Sequence, residues 1–379
     1  MAGPKILILT TNYGNGHLQV ARSLEQELSS HSGNTVLVKD LFYETSPFIH
    51  EWTKKIYLKS FTPGGRQIYR LFYYSSKEIS KRKNLKVLSY GYSKLCKIID
   101  QEKPDLIINT FPSFAVPYYR SKTNSTIPTY NIITDYCLHH SWVHPNIDKY
   151  YVATKQLETE LKKIGVSKDS ICVSGMPIKK EFDRPIDLQQ VCRTNELNPS
   201  LKTVLIVAGA YGVSKEMKEI CHSLKEDPLL QLVIVCGRNK NLYKDFQNKY
   251  KDYKNIKVLG YVTDMEKLFR VSTIVITKPG GIILSEAMAT NTPIVLTRAT
   301  PGQESENAQF FQQQNAALLC EKVEDLSLRT KQLVRDEPMQ RKMKQSLSKM
   351  YVPRAAEKIS SDILVDYYNR YSQSQFLKL

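Results

Sequence analysis

Glycines that follow apolar runs are the residues best placed to bind a phosphate in this sequence. Residues 273–277 form an apolar run, which is followed by Lys278-Pro279-Gly280-Gly281 and by a helical sequence containing Glu286. Glycine lets the backbone approach a ligand closely, and the free N–H groups of a helix N-terminus favour an anion. We therefore predict a phosphate site at Gly280 and Gly281, with Glu286 accepting hydrogen bonds from a ribose. A tight turn without a ligand is the alternative.

A second loop in the same half, residues 301–307, enters a predicted helix with short polar side chains. Gln303, Glu304 and Asn307 are of the kind that reads sugar hydroxyls, and helix capping by Glu304 is the alternative. Other candidate ligand-binding residues follow the ends of predicted strands in this half, namely Gly209, Gly212, Arg238 and Asn239.

Histidines in the first half are candidates for proton transfer. His17 follows the loop Gly14-Asn15-Gly16 after the first strand. Histidine is the side chain best suited to take a proton from an alcohol at neutral pH, although a helix cap or a core position is the alternative. Asp135 opens a second polar segment with three histidines, so a metal site is a possibility there. Those three residues are His139, His140 and His144.

Several classes of protein are excluded. The chain has no GKS/T loop, no GxSxG elbow and no complete GxGxxG, because Gln19 stands where the last glycine would be. A P-loop NTPase, a serine hydrolase and a nicotinamide enzyme are therefore not supported. The seven cysteines are widely spaced, which argues against a disulfide scaffold and a zinc finger. We expect no signal peptide, because the N-terminal apolar run at residues 6–9 is short and lacks a small-residue cleavage site. We also expect no transmembrane helix, since no apolar run approaches roughly 18 residues.

Positive charge is concentrated in one segment. The net charge is +17, and residues 51–100 contain twelve Lys or Arg, three Asp or Glu, and nine aromatic residues. Mixed cations and aromatics suit a membrane surface, while nucleic acid and a plain solvated helix are the alternatives. We predict that the membrane-contacting residues are Trp52, Lys54, Lys55, Lys59, Phe61, Arg66, Arg70, Phe72, Tyr73 and Tyr74.

Short apolar strands alternate with helices in both halves of the chain, which predicts parallel sheets covered on both faces. The predicted strands are residues 5–10, 35–38, 105–109, 129–134, 149–153, 203–208, 232–236, 257–260, 273–277 and 294–296. A polar, turn-rich stretch at residues 183–201 separates the halves. We therefore predict an N-terminal Rossmann-like domain at 1–190, a C-terminal Rossmann-like domain at 191–350, and a helical tail at 351–379.

Five motifs in order connect these observations. They are residues 6–17, Ile133-Thr134-Asp135 with Trp142-Val143-His144, Cys236-Gly237-Arg238-Asn239-Lys240, Lys278-Pro279-Gly280-Gly281 with Glu286-Ala287, and Pro301-Gly302-Gln303-Glu304 with Asn307. This set resembles the monogalactosyldiacylglycerol synthase and MurG-like glycosyltransferases, and within them the bacterial processive diacylglycerol β-glucosyltransferases. The resemblance covers nearly the whole chain.

The resemblance implies an α/β GT-B fold, in which two Rossmann-like domains face each other across a cleft. The domain at 1–190 is then expected to bind the acceptor and the membrane, and the domain at 191–350 the nucleotide-sugar donor. It implies an inverting transfer of glucose from UDP-glucose to diacylglycerol and then to glucosyl-diacylglycerol, which makes the membrane anchor of lipoteichoic acid. No metal or other cofactor is expected, and no nucleic acid partner. The expected location is peripheral, on an anionic phospholipid surface at the cytoplasmic face of the cell membrane.

The resemblance also assigns roles to residues. His17 matches the general base, with Asp135 as its expected neighbour, and Trp142 joins the acceptor side. Together with the candidates above, the expected donor-binding residues are Gly14, Gly16, Gly209, Gly212, Arg238, Asn239, Tyr261, Val262, Pro279, Gly280, Gly281, Glu286, Gln303, Glu304 and Asn307. Two alternatives remain open: a transferase for another UDP-sugar or a polyprenyl diphosphate lipid, and a UDP-sugar sensor without catalysis.

Overall fold

The computed structural model describes residues 3–12, 15–59, 63–81, 89–208 and 214–376. The chain divides into two compact units, Met1–Lys180 with Val352–Leu379, and Glu181–Tyr351. The first division therefore falls at Lys180 rather than at residue 190. The boundary lies there because Phe182 contacts the second unit. The Phe182 ring packs against the ring of Phe269, at 6.0 Å between centroids, and the Phe182 carbonyl accepts a 2.6 Å hydrogen bond from Arg270.

The first unit contains one six-stranded sheet. Its strands are β1 Lys5–Thr10, β2 Thr35–Asp40, β3 Leu106–Asn109, β4 Thr129–Ile132, β5 Lys149–Val152 and β6 Ile171–Val173. Its helices up to residue 180 are α1 Asn15–Ser30, α2 Leu41–Thr45, α3 Pro47–Lys59, α4 Pro63–Lys81, α5 Tyr92–Glu102, α6 Ala115–Thr123 and α7 Lys155–Lys163.

All pairings in this sheet are parallel, in the order β2-β1-β3-β4-β5-β6. Consecutive residues of β1, Ile6, Leu7 and Ile8, are all fully buried. Since neighbouring side chains of a strand point to opposite faces, both faces of the sheet are covered. The chain reverses its direction of strand addition between β1 and β3, and such a switch point is where open α/β sheets bind ligands.

The second unit repeats this plan. Its strands are β7 Lys202–Val207, β8 Leu230–Val235, β9 Ile256–Leu259, β10 Ile274–Thr277, β11 Ile294–Leu296 and β12 Ala317–Leu319. Its helices are α8 Leu188–Thr194, α9 Ser214–Leu224, α10 Lys240–Tyr250, α11 Met265–Val271, α12 Gly281–Ala289, α13 Gln303–Gln313, α14 Val323–Arg335 and α15 Glu337–Met350. The parallel strands are ordered β12-β11-β10-β7-β8-β9, which places the switch point between β7 and β10.

The C-terminal segment does not form a separate tail, because the last helix, α16 Ala355–Phe376, packs on α1 of the first unit. Two tyrosines of the first sheet donate hydrogen bonds of 2.6 Å to its carboxylates, Tyr130 to Asp366 and Tyr151 to Asp362. Lys149 adds a 2.7 Å ion pair with Asp362. These contacts with the first sheet explain why the segment belongs to the first unit.

Within the described part of the chain, no helix is both long enough and apolar enough to cross a membrane.

Candidate functional site

His17 lies at the switch point of the first sheet, in the first turn of α1. Its Nδ1 is 2.9 Å from the carbonyl oxygen of Thr110, which directly follows β3, and 2.8 Å from the hydroxyl of Thr134. A carbonyl oxygen can only accept, so Nδ1 carries the proton and Nε2 keeps a lone pair. The protein therefore holds His17 in the tautomer that a general base requires.

Burial also sets the charge of His17. Desolvation lowers its pKa to about 4, and the hydrogen bond to Thr110 offsets only part of this effect. The imidazole is consequently neutral near pH 7 and can accept a proton. Phe111 packs edge-to-face against the ring, with 5.0 Å between centroids. The backbone carbonyl of Thr110 and the ring of the next residue, Phe111, together fix the position of the His17 side chain.

The sequence predictions missed Thr110 and Thr134 as partners of His17. Both stand just after strands of the first sheet, and that position is the signal that could have identified them. Asp135, the predicted neighbour of His17, is buried and follows Thr134 in the chain.

The histidines near Asp135 have structural partners. Nδ1 of His139 accepts from the backbone N–H of Ser141, and its Nε2 lies 3.2 Å from the hydroxyl of Ser76 in α4. Nδ1 of His144 accepts from the backbone N–H of Asn146. Among the residues that the structure describes, no three His, Cys, Asp or Glu side chains are grouped so that they could hold a metal ion.

Gly280 lies at the switch point of the second sheet, where it precedes α12. It has ordinary extended angles, φ −76° and ψ 143°, and no side chain caps the helix N-terminus there. A Cβ atom added to Gly280 would meet nothing closer than Ile283 Cγ2 at 3.8 Å, an ordinary contact. The fold itself therefore does not require glycine at this position, whereas a ligand close to the backbone does.

Other residues predicted to bind the donor substrate hold the loop before α12 in place. Gly281 begins α12, and Glu286 is buried within that helix. The carbonyl of Pro279 accepts a 3.2 Å hydrogen bond from the fully buried side chain of Asn307. Asn307 therefore ties the loop before α12 to α13.

The start of α13 is held to the loop that precedes it. Glu304 accepts a 2.9 Å hydrogen bond from the backbone N–H of Thr300 in that loop, and no side chain caps the helix at Gly302. Gly302 has φ 99°, a left-handed conformation that favours glycine. Gln303, the first residue of α13, is partly buried.

Arg238 lies over a tyrosine ring. Its guanidinium carbon is 5.0 Å from the ring centroid of Tyr261, which is half exposed. This cation–π contact positions a fixed positive charge after β8. Asn239 instead caps α10 by accepting from the backbone N–H of Leu242, and Val262 is partly buried beside Tyr261.

Some predicted site residues lie outside the described residues. These are Gly14, Gly209, Gly212 and Phe61, and the side chains of Lys54, Lys55 and Lys59 in α3 are also outside the description. Gly16 is described, in the first turn of α1.

Helices α3 and α4 contact each other and carry exposed apolar side chains, a region that we name the α3–α4 surface. Its predicted members Trp52, Phe72 and Tyr74 are exposed, and so is Arg70, while Arg66 is partly buried. The sequence predictions missed other members, which the helical spacing could have indicated, namely Phe48, Ile49, Ile68 and Leu71.

Two predicted membrane or acceptor residues do not belong to this surface. Tyr73 is only 5% exposed, because it faces His139 at 5.1 Å between ring centroids. Trp142 is 2% exposed and lies in the core of the first unit, where its carbonyl accepts from Asn131. Neither ring can enter a membrane in this conformation.

Comparison of the structure with solved structures identifies the fold. The co-structure of MnaA from S. aureus with UDP matches with a TM-score of 0.63 and 16% identity, and 97% of each chain is covered. MurG of Acinetobacter baumannii matches with a TM-score of 0.62 and 14% identity over 96% of this chain and 99% of that chain. These likenesses, with the two parallel sheets, confirm the predicted α/β GT-B fold.

Comparison of the sequence identifies the family. Residues 17–178 match the model of monogalactosyldiacylglycerol (MGDG) synthase, and residues 193–350 match that of glycosyl transferases group 1. The processive diacylglycerol beta-glucosyltransferase of Bacillus pumilus is 43% identical, covering 95% of this chain and 94% of that protein. Its Bacillus subtilis counterpart is 41% identical over the same shares of both chains. The chain therefore belongs to the processive diacylglycerol β-glucosyltransferase family of enzymes.

Proposed function

We propose that this protein transfers glucose from UDP-glucose to the free hydroxyl of diacylglycerol, and then to the glucosyl-diacylglycerol so formed. The observation that carries the proposal is the neutral His17, whose Nδ1–H is engaged by Thr110 so that Nε2 is the basic nitrogen. The names of the relatives favour neither a polyprenyl diphosphate acceptor nor a sensor without catalysis.

The proposed reaction is a single displacement. The acceptor hydroxyl gives its proton to Nε2 of His17 while its oxygen bonds to the anomeric carbon, and the bond from that carbon to the β-phosphate oxygen breaks. UDP leaves from the opposite face, so the configuration inverts. His17 then returns its proton to solvent. General-base assistance of this kind contributes roughly 10²- to 10⁴-fold to a rate.

The donor is assigned to the second unit. The unblocked N-terminus of α12 at Gly280 offers backbone N–H groups to the diphosphate. Arg238, fixed over Tyr261, adds positive charge on the same unit. Because these groups offset the charge of the departing UDP, we propose that transfer needs no divalent metal.

The α3–α4 surface is assigned to the membrane. Ile68, Leu71 and Phe72 are spaced three and four residues apart on α4, and all are exposed. A helix of this kind lies in the headgroup layer, and surrounding cations attract anionic lipid. We propose that the protein binds peripherally at the cytoplasmic face of the cell membrane, where its product serves as the lipoteichoic acid anchor.

The test is UDP release by the purified protein with diacylglycerol in anionic vesicles. We expect release from UDP-glucose that depends on lipid, exceeds release from UDP-galactose and persists with a chelator. His17→Ala should reduce turnover by roughly 10²-fold or more with donor binding retained. His31→Ala, at an exposed histidine of the same unit, is the matched control. Normal turnover of His17→Ala refutes the role of His17, and saturable UDP-glucose binding without UDP release refutes the transferase.

A further inference from the structure

A row of aromatic rings runs outward from His17. Phe111 packs edge-to-face on His17 at 5.0 Å, and Phe42 of α2 packs edge-to-face on Phe111 at 5.2 Å. Tyr90 follows, with its ring centroid 5.3 Å from that of Phe42. Each step is a direct ring contact, so the row is continuous from the general base outward.

The rings of this row are not core residues. His17, Phe111 and Phe42 are partly buried, and Tyr90 is exposed. Aromatic side chains that only serve packing are usually buried among aliphatic neighbours, whereas this row keeps contact with the surface along its length. It presents an apolar strip that ends at the proton-accepting group.

The helix that carries the middle ring of the row also packs on the α3–α4 surface. Phe42 lies in α2, which packs on α3, and the next residue, Tyr43, contacts the ring of His50 in α3 at 5.6 Å. Phe48 and Ile49, at the start of α3, are exposed, Phe48 to 81%. Phe42 therefore lies on a helix that packs directly against the α3–α4 surface of the same unit.

This placement fits one occupant. A diacylglycerol must bring its hydroxyl to His17 while its acyl chains extend back to the bilayer, and chains that cross a polar region lose their hydrophobic stabilisation. We propose that Phe111, Phe42 and Tyr90 form the track along which the acceptor's acyl chains lie. The proposal rests on the proposed function, since it names the binding path of that acceptor.

The track predicts a graded dependence on chain length. Carbons near the glycerol lie beside Phe111, and carbons farther along reach Phe42 and then Tyr90. In the wild type, the KM for the acceptor should fall as the chains lengthen and then level off. Phe42→Gln should remove this gain beyond the shortest chains, and Tyr90→Gln should remove it only for longer chains.

The experiment measures UDP release in mixed micelles at a fixed mole fraction of dihexanoyl-, dioctanoyl- or dilauroylglycerol. With dilauroylglycerol, we expect Phe42→Gln to raise the acceptor KM about tenfold, with kcat and the KM for UDP-glucose unchanged, because burial of a ring contributes at least that much. Phe42→Leu, which keeps an apolar side chain, should restore most of the affinity. Leu328→Gln is the matched control, at an exposed leucine of the second unit.

Two outcomes overturn the inference. If Phe42→Gln lowers kcat equally at every chain length and leaves the chain-length dependence intact, Phe42 acts only by positioning His17. If Phe42→Leu behaves like Phe42→Gln, apolar contact with the acceptor is not the property that matters. A wild-type protein that releases no UDP with any acceptor instead refutes the proposed function itself.

Discussion

Gly280→Ala distinguishes a glycine that a ligand needs from one that the fold needs. The backbone angles at Gly280 are open to any residue, and the added methyl would lie 3.8 Å from its nearest neighbour, Ile283. Alanine before a helix costs about 1 kcal/mol relative to glycine, and the lower entropy of the unfolded chain returns about 0.4–1 kcal/mol. The net change in the free energy of unfolding is therefore close to zero.

The expected effect on donor binding is much larger. A phosphate that accepts a hydrogen bond from the helix N-terminus must approach the backbone closely, and the new methyl occupies part of that space. Loss of one hydrogen bond to a charged group costs about 1.5–3 kcal/mol, which raises the Kd for UDP by about ten- to a hundredfold. The assay is calorimetric titration with UDP, accompanied by thermal unfolding, in which Tm should stay within about 4 °C.

Gly175→Ala is the matched control. Gly175 has φ 81°, and its added Cβ would lie 2.8 Å from the Cβ of Val352, so the backbone there requires glycine. We expect this variant to lose about 1–3 kcal/mol of stability while it keeps its affinity for UDP. If Gly280→Ala binds UDP as tightly as the wild type, the assignment of the phosphate site to the start of α12 is refuted.

Three further predictions follow from other contacts. Burial lowers the pKa of His17 to about 4, so the base stays unprotonated down to that pH. The acid limb of the kcat/KM profile should therefore lie near pH 4, and an acid limb at pH 6.5 would contradict this. Leu71→Glu, on the α3–α4 surface, should weaken binding to anionic vesicles at least tenfold in a co-sedimentation assay and leave UDP binding unchanged. Vesicle binding equal to that of the wild type would exclude contact of α4 with the membrane. Tyr151→Phe removes the 2.6 Å hydrogen bond to Asp362 and should lower the free energy of unfolding by about 1 kcal/mol in urea titrations, with activity retained.

Much of the fold could be predicted from local patterns. β1 and β11 begin and end at the predicted residues, because a continuous apolar run is a strong signal of a buried parallel strand. The strands β6 and β12 were not predicted. Each lies at the edge of its sheet and is defined by pairing with one neighbouring strand, a tertiary contact that a local pattern does not contain.

The site was predicted less evenly. His17 and Gly280 were identified because each follows a strand with a glycine-containing loop, and sequence order preserves that relation. Tyr73 was assigned to the membrane because it is aromatic, and Trp142 was assigned to the acceptor side by the resemblance, yet both are buried. Whether an aromatic ring faces inward depends on which element packs on it, here the segment of His139 on α4. Composition alone contains no such information.

The two units show how one topology serves two chemistries. Each has a parallel sheet with one switch point, and each places a helix start beside it, α1 with His17 and α12 with Gly280. At α1, the loop after the neighbouring strand offers the carbonyl of Thr110, which orients a base. At α12, no side chain caps the helix, and its N–H groups stay available to an anion. Since the sheets follow the same plan, the difference in chemistry arises from the first residues of each helix and from what the adjoining loop offers them.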